Sequence, residues 1–178
     1  MLVRRQPQGR RSLGFQLEVP PEVGEVEEGQ VLKCRELRQG GSAAGELEIS
    51  VFAAALIIDR DGLLAERACD VLSSETAVRG RPATVAVSLP GASGFRASTV
   101  RRADLPYLHV LALAPADLGI DGGVVVTLRT ATPDWAAAEH MLRSLRLLAY
   151  NGTPNGRVTA GTDTDDAPIL PVVSPTRD

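Results

Sequence analysis

Thr132-Pro133-Asp134-Trp135-Ala136-Ala137-Ala138-Glu139-His140-Met141-Leu142-Arg143-Ser144-Leu145-Arg146-Leu147-Leu148 is the stretch whose reading decides the fold. Thr132 is a good helix N-cap residue, because its hydroxyl accepts from a backbone N–H two or three residues on. Pro133 suits the first helical position, where no N–H is needed. Asp134 sets a negative charge at the positive end of the helix dipole. Trp135, Ala138, Met141, Leu142, Leu145 and Leu148 recur at three- and four-residue spacing, the stripe of an amphipathic helix. Glu139 and Arg143 form an acid-first i,i+4 pair beside it. The spacing predicts one helix over residues 132–148, with Trp135 anchoring it in a core. His140 flanks the stripe.

Working outward, the residues before this stretch read as strands. Phe15, Leu17 and Val19 alternate with Gln16 and Glu18 until Pro20-Pro21 stops them. Glu22 to Glu28 reads as an acidic loop. A second strand runs from Val31 to Arg38, and Gln39-Gly40-Gly41-Ser42 is a turn. Leu47, Ile49, Val51 and Ala53 give a third strand with one wet face. Asp59-Arg60-Asp61-Gly62 opens a first helix carrying Leu64, Ala68, Val71 and Leu72, with Asp59 or Asp61 as its cap. Four strands follow, near residues 83–89, 95–102, 107–114 and 124–129, with a turn at Pro90-Gly91-Ala92-Ser93-Gly94. The segment from Tyr107 to Ala114 is apolar on both faces except for His109, which suits a central strand. The predicted order is βββαββββα. Runs of strands broken by two helices argue an α+β class, an antiparallel sheet of about six to seven strands covered by two helices.

Three segments divide the chain. Residues 1–12 hold Arg4, Arg5, Arg10 and Arg11 and read as a flexible basic arm. Residues 13–149 form a single domain. Residues 150–178 lose all periodicity and read as a disordered tail, with an apolar cluster, Pro168-Ile169-Leu170-Pro171-Val172-Val173, inside it.

Composition narrows the function classes. The chain has 178 residues, 44% of them hydrophobic, enough for one domain with a real core. A formal net charge of −3 provides no basic field for a phosphate backbone, and 3% aromatic content is poor for stacking single-stranded bases. Nucleic acid is therefore not an expected partner. Of the 19 basic residues only Lys33 is a lysine, which points to a GC-rich genome. No run of residues approaches a membrane span and no secretory signal is legible, so cytoplasmic residence is expected. Cys34 and Cys69 lack a CxxC spacing and read as two small buried thiols, one on a strand and one on a helix.

Catalytic and metal chemistry find little support. His109 and His140 are the only histidines. Asp59 and Asp61 lack the other ligands of a calcium loop, and Asp163, Asp165 and Asp166 fall in the tail. No G-x-S-x-G, phosphate-binding loop or dinucleotide fingerprint is present. No metal and no cofactor is implied. The reading that remains is a non-catalytic binding or adaptor domain that presents a sheet face to a protein partner. Phe52, Tyr107 and His109 are its candidate sheet-face residues, and Ile169, Leu170, Val172 and Val173 its candidate tail contacts. A self-associating structural subunit is one alternative. A small hydrolase using His109 is another.

The element order resembles the PsbP-like superfamily, which includes small bacterial domains. Two groups of residues carry the resemblance: Gly14-Phe15-Gln16-Leu17-Glu18-Val19-Pro20 at the start, and Asp134-Trp135 through Ser144-Leu145-Arg146 at the end. It spans roughly residues 12–149. The resemblance implies an adaptor role without catalysis, or a chaperone-like one that holds apolar segments against the sheet in a bacterial secretion or other assembly. It transfers no binding-site residue to this chain.

Overall fold

The structure is a computed structural model, and it describes residues 2–5, 11–21, 23–28, 31–53, 59–77, 80–115, 122–151 and 159–161. Its class is α+β and its sheets are antiparallel. The strands are β1 (Leu2–Arg5), β2 (Arg11–Glu18), β3 (Glu25–Glu28), β4 (Leu32–Gln39) and β5 (Ser42–Ala53), then β6 (Thr84–Leu89), β7 (Ala92–Val100), β8 (Tyr107–Pro115) and β9 (Gly122–Thr130), and last β10 (Arg146–Asn151) and β11 (Thr159–Gly161). Helix α1 spans Arg60–Glu75, and the short helix α2 spans Glu139–Ser144.

A seven-stranded sheet in the order β3-β4-β5-β9-β8-β7-β6 is the centre of the molecule. Two meanders build it, β3-β4-β5 and β6-β7-β8-β9, and they join where β9 pairs with β5. Turn chemistry sets the hairpins. Gly40 and Gly41, at φ 59° and 85°, make the reversal between β4 and β5, positions where a side chain would be strained. Pro90 and Gly91 (φ 80°) do the same between β6 and β7.

The two faces of this sheet are covered differently. α1 lies on one, capped by the Asp59 carboxylate, which accepts from the Gly62 N–H at 2.9 Å. Its Leu64, Ala68, Cys69 and Leu72 pack on Leu108, Val110, Ala112 and Val125. On the other face lies a second, four-stranded sheet, β10-β2-β1-β11. There Phe15 and Leu17 of β2 meet Leu47, Ile49, Leu111, Leu113, Val126 and Leu128. β8 and β9 are therefore covered on both sides, which is why β8 is apolar on both faces but for His109, whereas β9 adds Thr127 and Arg129 on the α1 side, where Arg129 pairs with Glu75. Cys34 and Cys69 are buried on opposite faces of the sheet, so no disulfide joins them.

The predicted helix over 132–148 requires a correction. Thr132 is not its cap: the Thr132 hydroxyl donates to the Asp134 carboxylate at 3.0 Å, and that carboxylate accepts from the Ala136 N–H at 3.2 Å. A 3-10 turn over Ala136–Ala138 leads into α2, which ends at Ser144. Leu145 is extended (φ −57°, ψ 124°), and from Arg146 the chain is a strand paired with β2, Leu147 opposite Phe15. The cause is tertiary. Leu142, Leu145 and Leu148 fit a helix, but Leu145, Leu147 and Ala149 fit a strand equally well. The exposed edge of β2 supplies backbone partners for the second arrangement. Ser144 marks the switch: its hydroxyl donates to the Met141 carbonyl and accepts from the Glu18 N–H, both at 2.9 Å. Such local side-chain bonds compete with helix continuation.

The order βββαββββα is also extended. β3 lies in the segment read as an acidic loop. Arg4 and Arg5 lie on β1, and residues 159–161 pair with it. Among the described residues only α1 covers the large sheet as a helix of length. The other cover is mainly a sheet.

Candidate functional site

Side chains at the β6 end of the large sheet form the corner of interest. Successive residues of a strand alternate between faces. Val85 of β6 stands opposite Arg96 of β7, Ser98 of β7 opposite His109 of β8, and Val100 opposite Tyr107. All of these share the face that carries Val87, Leu89, Leu111 and Leu113. Here the second sheet does not reach. Val85 is 54% exposed and Val100 66%, the two large hydrophobic side chains most open to solvent among the described residues.

Trp135 lies at the inner edge of this corner. It precedes the 3-10 turn and is half-buried rather than a core anchor. The Arg96 guanidinium stands 5.1 Å from its ring centroid, within cation–π range. On another side it meets the His109 ring edge-to-face, with centroids 6.3 Å apart.

His109 is 4% exposed. Its Nδ1 is 2.9 Å from the Ser98 hydroxyl, and its Nε2 is buried with no hydrogen-bond partner among the described residues. Burial pushes its pKa below the ordinary imidazole value, the Arg96 charge lowers it further, and Asp134 opposes both. A neutral imidazole is the result near pH 7. Chemically this is a hydroxyl–imidazole pair with no orienting carboxylate on the second ring nitrogen among the described residues. The Asp134 carboxylate is already used by Thr132 and Ala136. A nucleophile needs both a base and a group that orients the base.

The predicted sheet-face residues do not come together. Tyr107 and His109 lie on the face toward the second sheet. Phe52 lies on the α1 face, 8% exposed, over Gly123 and beneath Arg67, whose guanidinium is 5.2 Å from its ring. Phe52 and His109 are too buried to present a surface. Ile169, Leu170, Val172 and Val173 lie outside the described residues. Val85, Val100 and Arg96 are not among the residues the sequence singles out, and Trp135 is singled out only as a core anchor. A signal exists for Val85 alone, in the strand Thr84-Val85-Ala86-Val87-Ser88-Leu89, which alternates but carries no charge.

That strand is the second part of the corner. β6 ends the seven-stranded sheet and pairs only with β7 among the described residues. An edge strand offers unpaired N–H and C=O groups to any incoming chain, and proteins usually blunt it with charges, prolines, bulges or shortness. β3, the opposite edge, is blunted: it is four residues long, Glu-Val-Glu-Glu. β6 has six residues, no charge, no internal proline and a register to β7 without a bulge.

Compared with models of known protein families, with curated proteins and with solved structures, the chain matches none. Among the described residues no helix is long and apolar enough to cross a membrane.

Proposed function

We propose that this chain is a non-catalytic protein-binding module that takes an extended segment of a partner along β6. The observation that carries the reading is the uncharged, regular β6 edge beside an exposed corner. Strand addition joins main-chain hydrogen bonds from an edge to side-chain contacts at alternate positions. Here the alternate positions of the incoming strand would meet Val85, Val87 and Leu89, with Arg96 and Trp135 behind them. The partner segment is then apolar at every second residue and carries an acidic residue for Arg96. An adaptor or chaperone-like role is the one that the PsbP-like resemblance also implies.

Selection of a random peptide display library on the full chain tests this. Selected peptides should alternate apolar and polar residues, shift the amide resonances of residues 84–89, and lose binding to the Val85→Lys variant. Peptides that shift other amides, or that bind the variant equally well, overturn it. The same edge favours a second reading, a self-associating subunit in which β6 of one copy pairs with β6 of another. Light scattering at several concentrations decides it: a strict monomer removes the self-associating form.

A further inference from the structure

The β6–β7 hairpin decides which backbone groups of the β6 edge are open. Its loop is two residues long, Pro90 and Gly91, with Leu89 opposite Ala92. In such a hairpin the pair that flanks the loop exchanges both of its hydrogen bonds, and bonded and non-bonded pairs alternate from there along the ladder. The register runs without a bulge from Leu89 opposite Ala92 to Thr84 opposite Ala97. Val87 with Gly94 and Val85 with Arg96 are therefore bonded pairs as well. The N–H and C=O groups of Val85, Val87 and Leu89 are taken up by β7. Those of Thr84, Ala86 and Ser88 point the other way, out along the edge.

The same alternation sorts the side chains. Val87 and Leu89 pack toward the second sheet, and Val85 shares their face. Ala86 stands opposite Phe95 and Thr84 opposite Ala97, on the face that α1 covers. There Ala86 and Ser88 are small and exposed. The neighbouring flank of α1 is polar. Glu66, Asp70 and Ser73 border a cavity of about 300 Å³ with Gly80, Arg81 and Pro82, which lead toward β6.

We infer that the strand taken up by β6 runs antiparallel to it and hydrogen-bonds to Thr84, Ala86 and Ser88, with apolar residues opposite Val85 and Val87 and polar residues between them. This rests on the binding reading above and adds a direction and a register to it. The direction follows from the sheet. Every ladder of the large sheet among the described residues is antiparallel, and antiparallel pairing is slightly more stable per residue than parallel. Direction fixes which partner residues make the bonds. In an antiparallel strand they are those opposite Thr84, Ala86 and Ser88, the polar ones. In a parallel strand they are those opposite Val85 and Val87, the apolar ones.

Amide hydrogen exchange of the full chain alone reads the register without a partner. Thr84, Ala86 and Ser88 should exchange fast, and Val85, Val87 and Leu89 slowly. Peptides selected on the full chain are then remade with single N-methyl groups. N-methylation at their polar positions should weaken binding about tenfold or more, and at their apolar positions should leave it near its starting value. Ala86→Pro removes an N–H that faces solvent, which an edge strand tolerates, and should weaken binding to the same degree while the thermal melt holds. If that variant melts far below wild type, the N-methyl series decides. Exchange without the alternation overturns the register. Weakening at apolar positions instead of polar ones means a parallel strand and overturns the direction, and full binding by a folded Ala86→Pro overturns the bond to Ala86. Selected peptides that leave residues 84–89 unshifted overturn the binding reading and this inference with it, even where the exchange pattern alternates.

Discussion

Ser144→Ala tests the account of why residues 132–148 turn from helix to strand. The Ser144 hydroxyl makes two bonds, to the Met141 carbonyl and from the Glu18 N–H. Each net hydrogen bond contributes about 0.5–1.5 kcal/mol, so both together set an upper bound of about 3 kcal/mol. Two effects reduce this. Water can reach the Glu18 N–H once the hydroxyl is gone, and alanine is up to about 0.5 kcal/mol the better helix former. The net expectation is a loss of about 1 kcal/mol. For a chain of this size that lowers Tm by about 2–4 °C. Helix content should not rise, because β10 remains paired with β2 from Arg146 to Asn151. Thermal melts and far-UV circular dichroism on wild type and variant give both readings. A raised Tm with stronger ellipticity at 222 nm would refute the reasoning, since it would mean that Ser144, and not pairing with β2, holds residues 145–148 extended.

Other consequences follow from burial and charge. Leu142→Ala empties a site that is 2% exposed and should cost about 2–5 kcal/mol, whereas Trp135→Ala, at a half-buried ring, should cost clearly less; urea denaturation ranks them. His109 binds its proton less readily folded than unfolded, so the unfolded chain holds more protons as pH falls below 6.5. Stability supplied by the neutral imidazole is present above that value and lost below it. The melting difference between wild type and His109→Asn should therefore shift against wild type between pH 7.5 and pH 5, and a constant difference would contradict the burial argument. Val85→Lys should change stability by less than about 1 kcal/mol because the side chain is half-exposed, and a large loss in a thermal melt would show that the edge is a packing element. Both cysteines should resist a maleimide in the native state and react together on unfolding, as mass spectrometry would show.

Several elements were legible because one signal dominated each. β5 and β9 alternate, β8 is apolar on both faces but for His109, and α1 begins at Asp59 with a true cap. Gly40-Gly41 and Pro90-Gly91 fixed two hairpins. β3 was illegible because Glu-Val-Glu-Glu has little strand propensity, and its pairing with β4 decides its state. β10 was illegible because leucines at 142, 145, 147 and 148 satisfy two periods at once. The corner was half legible. His109 stood out as the polar residue of an apolar strand, and Tyr107 lies beside it. Phe52 was grouped with them although it faces α1, since the register that separates them is set by β9, between β5 and β8.

The contrast between the two ends of the large sheet carries the functional argument furthest. At β3 the sequence is Glu-Val-Glu-Glu and the strand is four residues long, a charged and short edge of the kind that discourages pairing. At β6 no such device is present, although one would be nearly free: Val85 and Ala86 are both exposed, so a lysine at either would disturb no core. Folding therefore does not require the uncharged sequence of this edge. An uncharged, alternating, bulge-free edge of six residues is a template, and it takes up a strand from a partner, a strand from a second copy, or, under destabilising conditions, an aggregating chain. These three fates separate by experiment. A partner strand protects the β6 amides from hydrogen exchange only when the partner is added. A second copy protects them in proportion to chain concentration. Aggregation appears only where the melts show unfolding, and Val85→Lys should suppress all three.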